Sequence, residues 1–396
     1  MAVLHPACKI LVAVILGPVL AIRSSEGDNV EGCAPTETIA YNQVVIPTVP
    51  EFVRWRDALS TITKPLSQPI TAEEGFVLDI SMRVALLSYG RNAPKSSYVS
   101  FSAFGPKGEE SPDMMEVLIR GEKEHKRKKS GDYDADDSPY AAVYVVKVAD
   151  GKLGLILTFK GTSNVGDWLR NLDWKSVPLL DFKDVKVHRG FNKHLSSIFD
   201  GLADLRLREF HLTLASWGVE EDMGNLLDFV LKGKWSWCIC TGHSLGAAMA
   251  TIAAERITRA SGRNSVYLVT VGGPITGNQA LNAHLNSNVI PNGGLRIESA
   301  GDPVPWAGFN GVFVSSRQIN GMSWTIPADP AISKMNKRGH HTLYHIETHE
   351  TNGTSTCRFY TFQPHDAEGD AEEMNLRHYD QISVTEKDNE AVFHRL

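Results

Sequence analysis

The chain has 396 residues, 42% hydrophobic and 22% charged, which are ordinary globular values and exclude a disordered chain, a collagen-like repeat and a coiled coil. Lys and Arg number 40 against 46 Asp and Glu, and the net charge of −6 argues against nucleic acid as a partner, whose binders carry a basic face. The length is a soft prior for two domains, although single α/β domains run to about 250 residues, and no internal repeat is present.

Taken in chain order, the N-terminus reads as an address. Residues 1–9 are weakly basic, 10–22 (ILVAVILGPVLAI) are almost wholly apolar, and 23–26 are polar. That run is shorter than the roughly 20 apolar residues of a membrane span and suits a signal-peptide core with small residues near the cut. Residues 1–25 are therefore expected to be a signal peptide, the protein secreted or in the lumen of the secretory pathway, and no transmembrane segment follows. Cleavage there removes Lys9 and Arg23 and makes the mature charge about −8.

Residues 26–68, rich in Pro and Thr, read as an extended lead-in, and Phe76–Tyr89 has helical spacing. Residues 105–139, with EKEHKRKK and then DYDADD, read as a solvated excursion whose opposite charges pair with each other. Tyr140–Val148 and Leu153–Phe159 read as a hairpin about Asp150-Gly151. Helices are predicted over 191–217, 222–231, 245–259 and 277–285, and strands over 235–240, 266–271 and 295–299. Strands alternating with helices imply a mostly parallel sheet with helices on both faces.

Cysteine usage adds little. Cys238 and Cys240 are two apart in an apolar strand, so they share a face and are poorly placed to bond each other; Cys33–Cys357 is the one pairing entertained. Asn352-Gly353-Thr354 is an N-glycosylation acceptor.

Gly242-His243-Ser244-Leu245-Gly246 is a GxSxG pattern. Alone it is weak. Here an apolar strand precedes it and an Ala-rich helix follows, which is the strand–turn–helix context a nucleophilic serine needs. On that turn the hydroxyl is exposed, the next backbone N–H points at the reacting carbonyl, and the helix N-terminus favours developing negative charge.

The stretch CTGHSLGAAMA resembles the nucleophile elbow of the class 3 lipases, which include fungal triacylglycerol lipases and feruloyl esterases. Four further segments agree in order. FKGTS with Asp167-Trp168-Leu169 resembles the oxyanion loop and lid; VHRGF resembles the H-x-G-F segment; VGGP with Gly277-Asn278 resembles the G-x-P-x-x-G-N turn; Asp302-Pro303-Val304-Pro305 resembles the acid loop. The match spans about 140–379.

The resemblance implies an α/β-hydrolase fold with the nucleophile elbow at Ser244, in one lipase domain over 26–396: a core of about 140–380 and a helical or extended lead-in at 26–139. It implies triad partners in the order Ser, Asp, His. Asp302 lies 58 residues after the serine, just beyond a predicted strand. Seven histidines follow it. His378, late and after two predicted strands, is the favoured base, although Gln381 stands where the family pattern has tyrosine; His341, in an H-x-x-Y context with Tyr344, or His340 is the alternative.

Thr162 and Leu245 N–H are the expected oxyanion donors, with Trp168 and Leu169 on an apolar lid face that meets substrate. His341, His345 and His349 share a face, but without HExxH an exposed polar strand is preferred over a metal site. The expected activity is hydrolysis of acylglycerol esters through an acyl-enzyme, at a lipid–water interface and with no cofactor or metal. A feruloyl or other carboxylesterase and a phospholipase A1 are same-class alternatives, and an inactive lipase-like binding module is the alternative of a different class.

Overall fold

Period-two apolar runs become strands and period-3.6 runs become helices along most of the chain. In the computed structural model the described residues are 37–40, 44, 46–61, 70–90, 99–103, 113–120, 140–148, 151–162, 175–204, 208–219, 224–302, 304–306, 323–326, 341–349 and 355–362. They fall in the unit Cys33–Leu396. The strands are β1 (Glu37–Ala40), β2 (Val99–Ala103), β3 (Met114–Arg120), β4 (Tyr140–Lys147), β5 (Leu153–Phe159), β6 (Ser176–Leu179), β7 (Phe182–His188), β8 (Trp235–His243), β9 (Val266–Val271), β10 (Gly294–Ser299), β11 (Ser323–Ile326), β12 (Leu343–His349) and β13 (Ser355–Thr361). The helices are α1 (Val49–Thr61), α2 (Ala72–Gly90), α3 (Arg189–Ala203), α4 (Arg208–Ser216), α5 (Leu226–Lys232), α6 (Leu245–Ser261) and α7 (Gln279–Asn288).

Eight strands form one sheet in the order β11-β10-β9-β8-β5-β4-β3-β2. The four pairings from β11 to β5 are parallel and the three from β5 to β2 antiparallel. The expected hairpin is the β4–β5 pair, with Ala141 opposite Phe159. Every described position of β5 is buried, as it must be for a strand covered on both faces.

Alternation sorts the side chains. Val143, Leu155, Leu157, Cys238, Cys240 and Leu268 point to the face covered by α3, α5, α6 and α7. Tyr144, Ile156, Trp237, Ile239, Val271 and Ile297 point to the face covered by α1, α2 and the small sheet β1-β13-β12. This is the expected α/β-hydrolase architecture, a mostly parallel sheet between two helical layers.

Three expectations are corrected. The extended lead-in contains helix α1, whose buried Phe52, Trp55 and Leu59 fall three and four apart amid the Pro and Thr residues. The charged excursion contains β3, paired with β4 through Met114–Arg120; Met115, Val117 and Ile119 are core residues that the charged composition of 105–139 hides. The helix predicted over 191–217 is two helices, α3 and α4. Cys238 and Cys240 are buried free thiols facing the same side. Cys33, the Cys357 side chain, the glycosylation acceptor and residues 1–36 lie outside the described residues.

Candidate active site

The site lies where the parallel strands end, the usual crevice of an open α/β sheet. β8 runs to His243, Ser244 makes the turn, and α6 starts at Leu245. Ser244 has φ 57° and ψ −126° and, against the exposed hydroxyl expected of such a turn, is fully buried beneath the elements that close over the strand ends. A serine at positive φ is strained by about 1–3 kcal/mol, and the surrounding chain must hold it there. Its N–H donates to Val271 O at 2.9 Å, tying the elbow to the end of β9. The start of α6 presses on the end of β5: a Cβ at Gly246 would stand 1.9 Å from Phe159 O, so only glycine fits. That crossing sets Leu245 N–H, which as the first helical amide has no intrahelical acceptor, near the strand end that continues to Gly161 and Thr162.

β10 delivers the expected acid, Asp302. Asp302 follows it after a turn in which its N–H donates to Ser299 O at 3.1 Å. One carboxylate oxygen, Oδ1, accepts from Val304 N–H at 2.9 Å. The other, Oδ2, faces His341 Nδ1 at 2.9 Å and accepts from Tyr344 O–H at 3.3 Å. Asp302 and His341 are each 1% exposed, so the pair is shielded from water.

Gly272 is the pivot of these parts. It follows Val271, which holds Ser244, and a Cβ on it would lie 2.1 Å from Tyr344 Oη, 3.1 Å from Asp302 Oδ2 and 3.3 Å from His341 Cε1. Its φ of 53° also favours glycine. Asp302 fixes Nδ1–H of His341, which leaves Nε2 as the basic nitrogen. Among the described residues, His341 Nε2 and Ser244 Oγ are buried and have no hydrogen-bond partner.

Burial first, and the Asp302 charge second, push the Tyr344 hydroxyl well above the usual phenol range, so it stays a donor to the carboxylate. His243 is held well below the usual imidazole range, chiefly by burial and then by the neighbouring His341. Beneath the acid loop, Arg296 pairs with Glu298 at 2.5 Å and donates to Gly273 O at 2.7 Å, bracing the β9 and β10 ends.

Ser244, Leu245 and Asp302 thus sit at one end of the sheet, with Thr162 two residues beyond the Phe159–Lys160 backbone that α6 touches. His378, Trp168 and Leu169 lie outside the described residues, and the imidazole on Asp302 is that of His341. Sequence reasoning singled out neither His243 nor Tyr89, which closes on it at 2.9 Å from 154 residues away. No local pattern signals such a pair. Among the described residues no group of three or more His, Cys, Asp or Glu side chains could hold a metal ion, and the side chains of His345 and His349 are not among those described.

The family model for lipase (class 3) matches residues 156–310, a stretch holding the elbow, Thr162 and the acid loop. Among solved structures, the native propeptide complex of Rhizomucor miehei lipase is 19% identical with a TM-score of 0.41, over 71% of this chain and 85% of that one. A deletion mutant of that complex is 22% identical with a TM-score of 0.34, over 48% of this chain and only 52% of that one. A triacylglycerol lipase of Penicillium expansum is 17% identical with a TM-score of 0.38, over 64% of this chain and 80% of that one. The segment 156–310, which carries the serine elbow and runs from within β5 past β10, is thus similar to the class 3 lipases.

Proposed function

We propose that the protein is a secreted serine ester hydrolase of lipase type, cleaving acylglycerol esters. One observation carries the reading: a water-shielded Asp302–His341 pair at 2.9 Å meets the strained Ser244 turn at the same glycine. Ser244 Oγ attacks the ester carbonyl while His341 Nε2 takes its proton. Leu245 N–H and Thr162 stabilise the oxyanion. The histidine then returns the proton to the leaving alcohol, and Asp302 holds the imidazole in its tautomer and stabilises its charged form. A water molecule, deprotonated by the same nitrogen, hydrolyses the acyl-enzyme. The chemistry requires no metal or redox cofactor.

Export is supported by the apolar run at 10–22 and its polar flank. No described helix is long and apolar enough to cross a membrane. The test is covalent labelling by a fluorophosphonate, followed by rates on emulsified triolein, soluble p-nitrophenyl esters and a phospholipid. Labelling at Ser244 with preference for triolein is the expected result. Labelling elsewhere, or none, overturns the site, and preference for the soluble ester or the phospholipid replaces the acylglycerol with that substrate.

A further inference from the structure

We propose that Tyr89 and His243 form a buried positioning pair that holds the base loop and the oxyanion loop in register with the nucleophile. The inference rests on the reading of Ser244, His341 and Thr162 given above, and it concerns two residues that touch no substrate.

His243 immediately precedes the serine and is 1% exposed. Its two ring nitrogens each have a partner: Nε2 lies 2.9 Å from His341 O, and Nδ1 lies 2.9 Å from Tyr89 Oη. A carbonyl oxygen only accepts, so Nε2 carries the hydrogen. Nδ1 is then a bare acceptor, and the Tyr89 O–H donates to it. The directions of both bonds follow from the chemistry of the partners rather than from a choice of tautomer.

The base is therefore held from two sides. Asp302 grips its ring through Nδ1, and His243 grips its backbone through the carbonyl. The His243 and His341 rings also stack, with centroids 4.6 Å apart and planes 29° apart. On its far side Phe362 stacks on His243 at 4.0 Å.

Tyr89 carries the link to the oxyanion loop. It ends α2 and is 4% exposed. Its hydroxyl lies against Gly161: a Cβ there would stand 2.0 Å from Tyr89 Oη and 2.6 Å from His243 O. Burial raises the Tyr89 hydroxyl well above the usual phenol range, so it stays protonated and donates to His243 Nδ1. Gly161 is the residue before Thr162. Packing of Gly161 on the Tyr89 hydroxyl, and the two hydrogen bonds through His243, thus link the oxyanion loop to the backbone of the base. They tie α2 and the start of β12 to the ends of β5 and β8, which pair with each other in the main sheet.

A group that only positions others acts on the transition state, because a displacement of about 1 Å costs roughly a hundredfold in rate. Tyr89→Phe keeps the ring and removes the hydroxyl. With the serine concentration titrated by fluorophosphonate, kcat per titrated site on a soluble short-chain ester should fall on the order of tenfold or more, with KM within about twofold. Phe362→Leu keeps both hydrogen bonds and is the packing control; it should lower Tm while kcat per site stays near wild type. Tyr89→Phe and His243→Phe together should be no worse than the worse single variant, since both break the same link.

Unchanged kcat per site in Tyr89→Phe, or losses that multiply in the double variant, overturns the pair while leaving the serine hydrolase reading intact. Absence of Ser244 labelling in the wild type overturns both. A further readout needs no variant: in the wild-type protein labelled with ¹⁵N-histidine, His243 should give the neutral Nε2–H tautomer at pH 7. An Nδ1–H tautomer or a charged ring would break that link at its centre and overturn the proposal.

Discussion

At Asp302 both carboxylate oxygens are engaged, Oδ1 by Val304 N–H and Oδ2 by His341 and Tyr344. An amide in its place would offer a donor where His341 Nδ1–H also donates, forcing the wrong tautomer. Asp302→Asn is therefore expected to lower kcat by on the order of 10⁴ with the fold retained, as measured by steady-state hydrolysis alongside circular dichroism. The base is decided by a pair of variants. His341→Ala should lose activity as completely as Ser244→Ala, and His378→Ala should keep most of it; the reverse result would transfer the base to the C-terminal segment. Tyr344→Phe removes a single 3.3 Å bond to an oxygen that keeps His341, so its cost should stay within about tenfold.

At the scale of elements, the crossing of α6 over the end of β5 builds the corner proposed to hold the oxyanion. Its tolerance is set at Gly246, where the obstacle is the Phe159 carbonyl, a backbone atom that cannot turn away as a side chain tip can. Gly246→Ala should therefore push helix and strand apart. The expected loss is at least the 1–3 kcal/mol of an overpacked core, read as a lower urea midpoint, with activity falling further than stability because Leu245 N–H and Thr162 separate. The elbow and its strand and helix were legible in the sequence, because apolar strand, GxSxG and Ala-rich helix follow one another without interruption. Strand β3 was not, because its seven residues lie inside the stretch 105–139, whose charged runs read as a solvated excursion.

For the whole molecule, buried titratable rings set a window of stability. Tyr344 and Tyr360 are held well above the usual phenol value by burial, and Tyr89 likewise. Above about pH 10 the unfolded chain releases these protons and the folded chain does not, so stability falls as pH rises, by up to about 1.4 kcal/mol per pH unit for each ring. His243 works in the opposite direction. Its folded value is depressed, so below about pH 6.5 the unfolded chain binds a proton the folded one refuses, and stability falls as pH falls. Thermal unfolding followed across pH should show a plateau bounded by these two limbs; a Tm that keeps rising above pH 10 would contradict the burial of the tyrosines. The lid expectation belongs to this scale too. If the apolar face of Val165, Trp168 and Leu169 meets lipid, Trp168→Ser should weaken action on emulsions more than on a soluble ester, and equal losses would indicate a fixed, open pocket.

The sequence by itself determined the class of fold and singled out Ser244 and Asp302 as the candidate nucleophile and acid, because each is written in short range: period-two runs, a glycine-flanked serine between strand and helix, and an aspartate just beyond a strand end. It left the base open between His378 and His341, since an imidazole is chosen by which loop returns to the carboxylate, and seven histidines follow Asp302. Only the tertiary structure decided that His341 lies on Asp302 Oδ2, and that α2 contributes a tyrosine to the ring beside the serine. The physical reason is the same in both cases. Hydrogen bonds between side chains 39 and 154 residues apart depend on how the layers close over the sheet, and no periodicity along the chain records that closure.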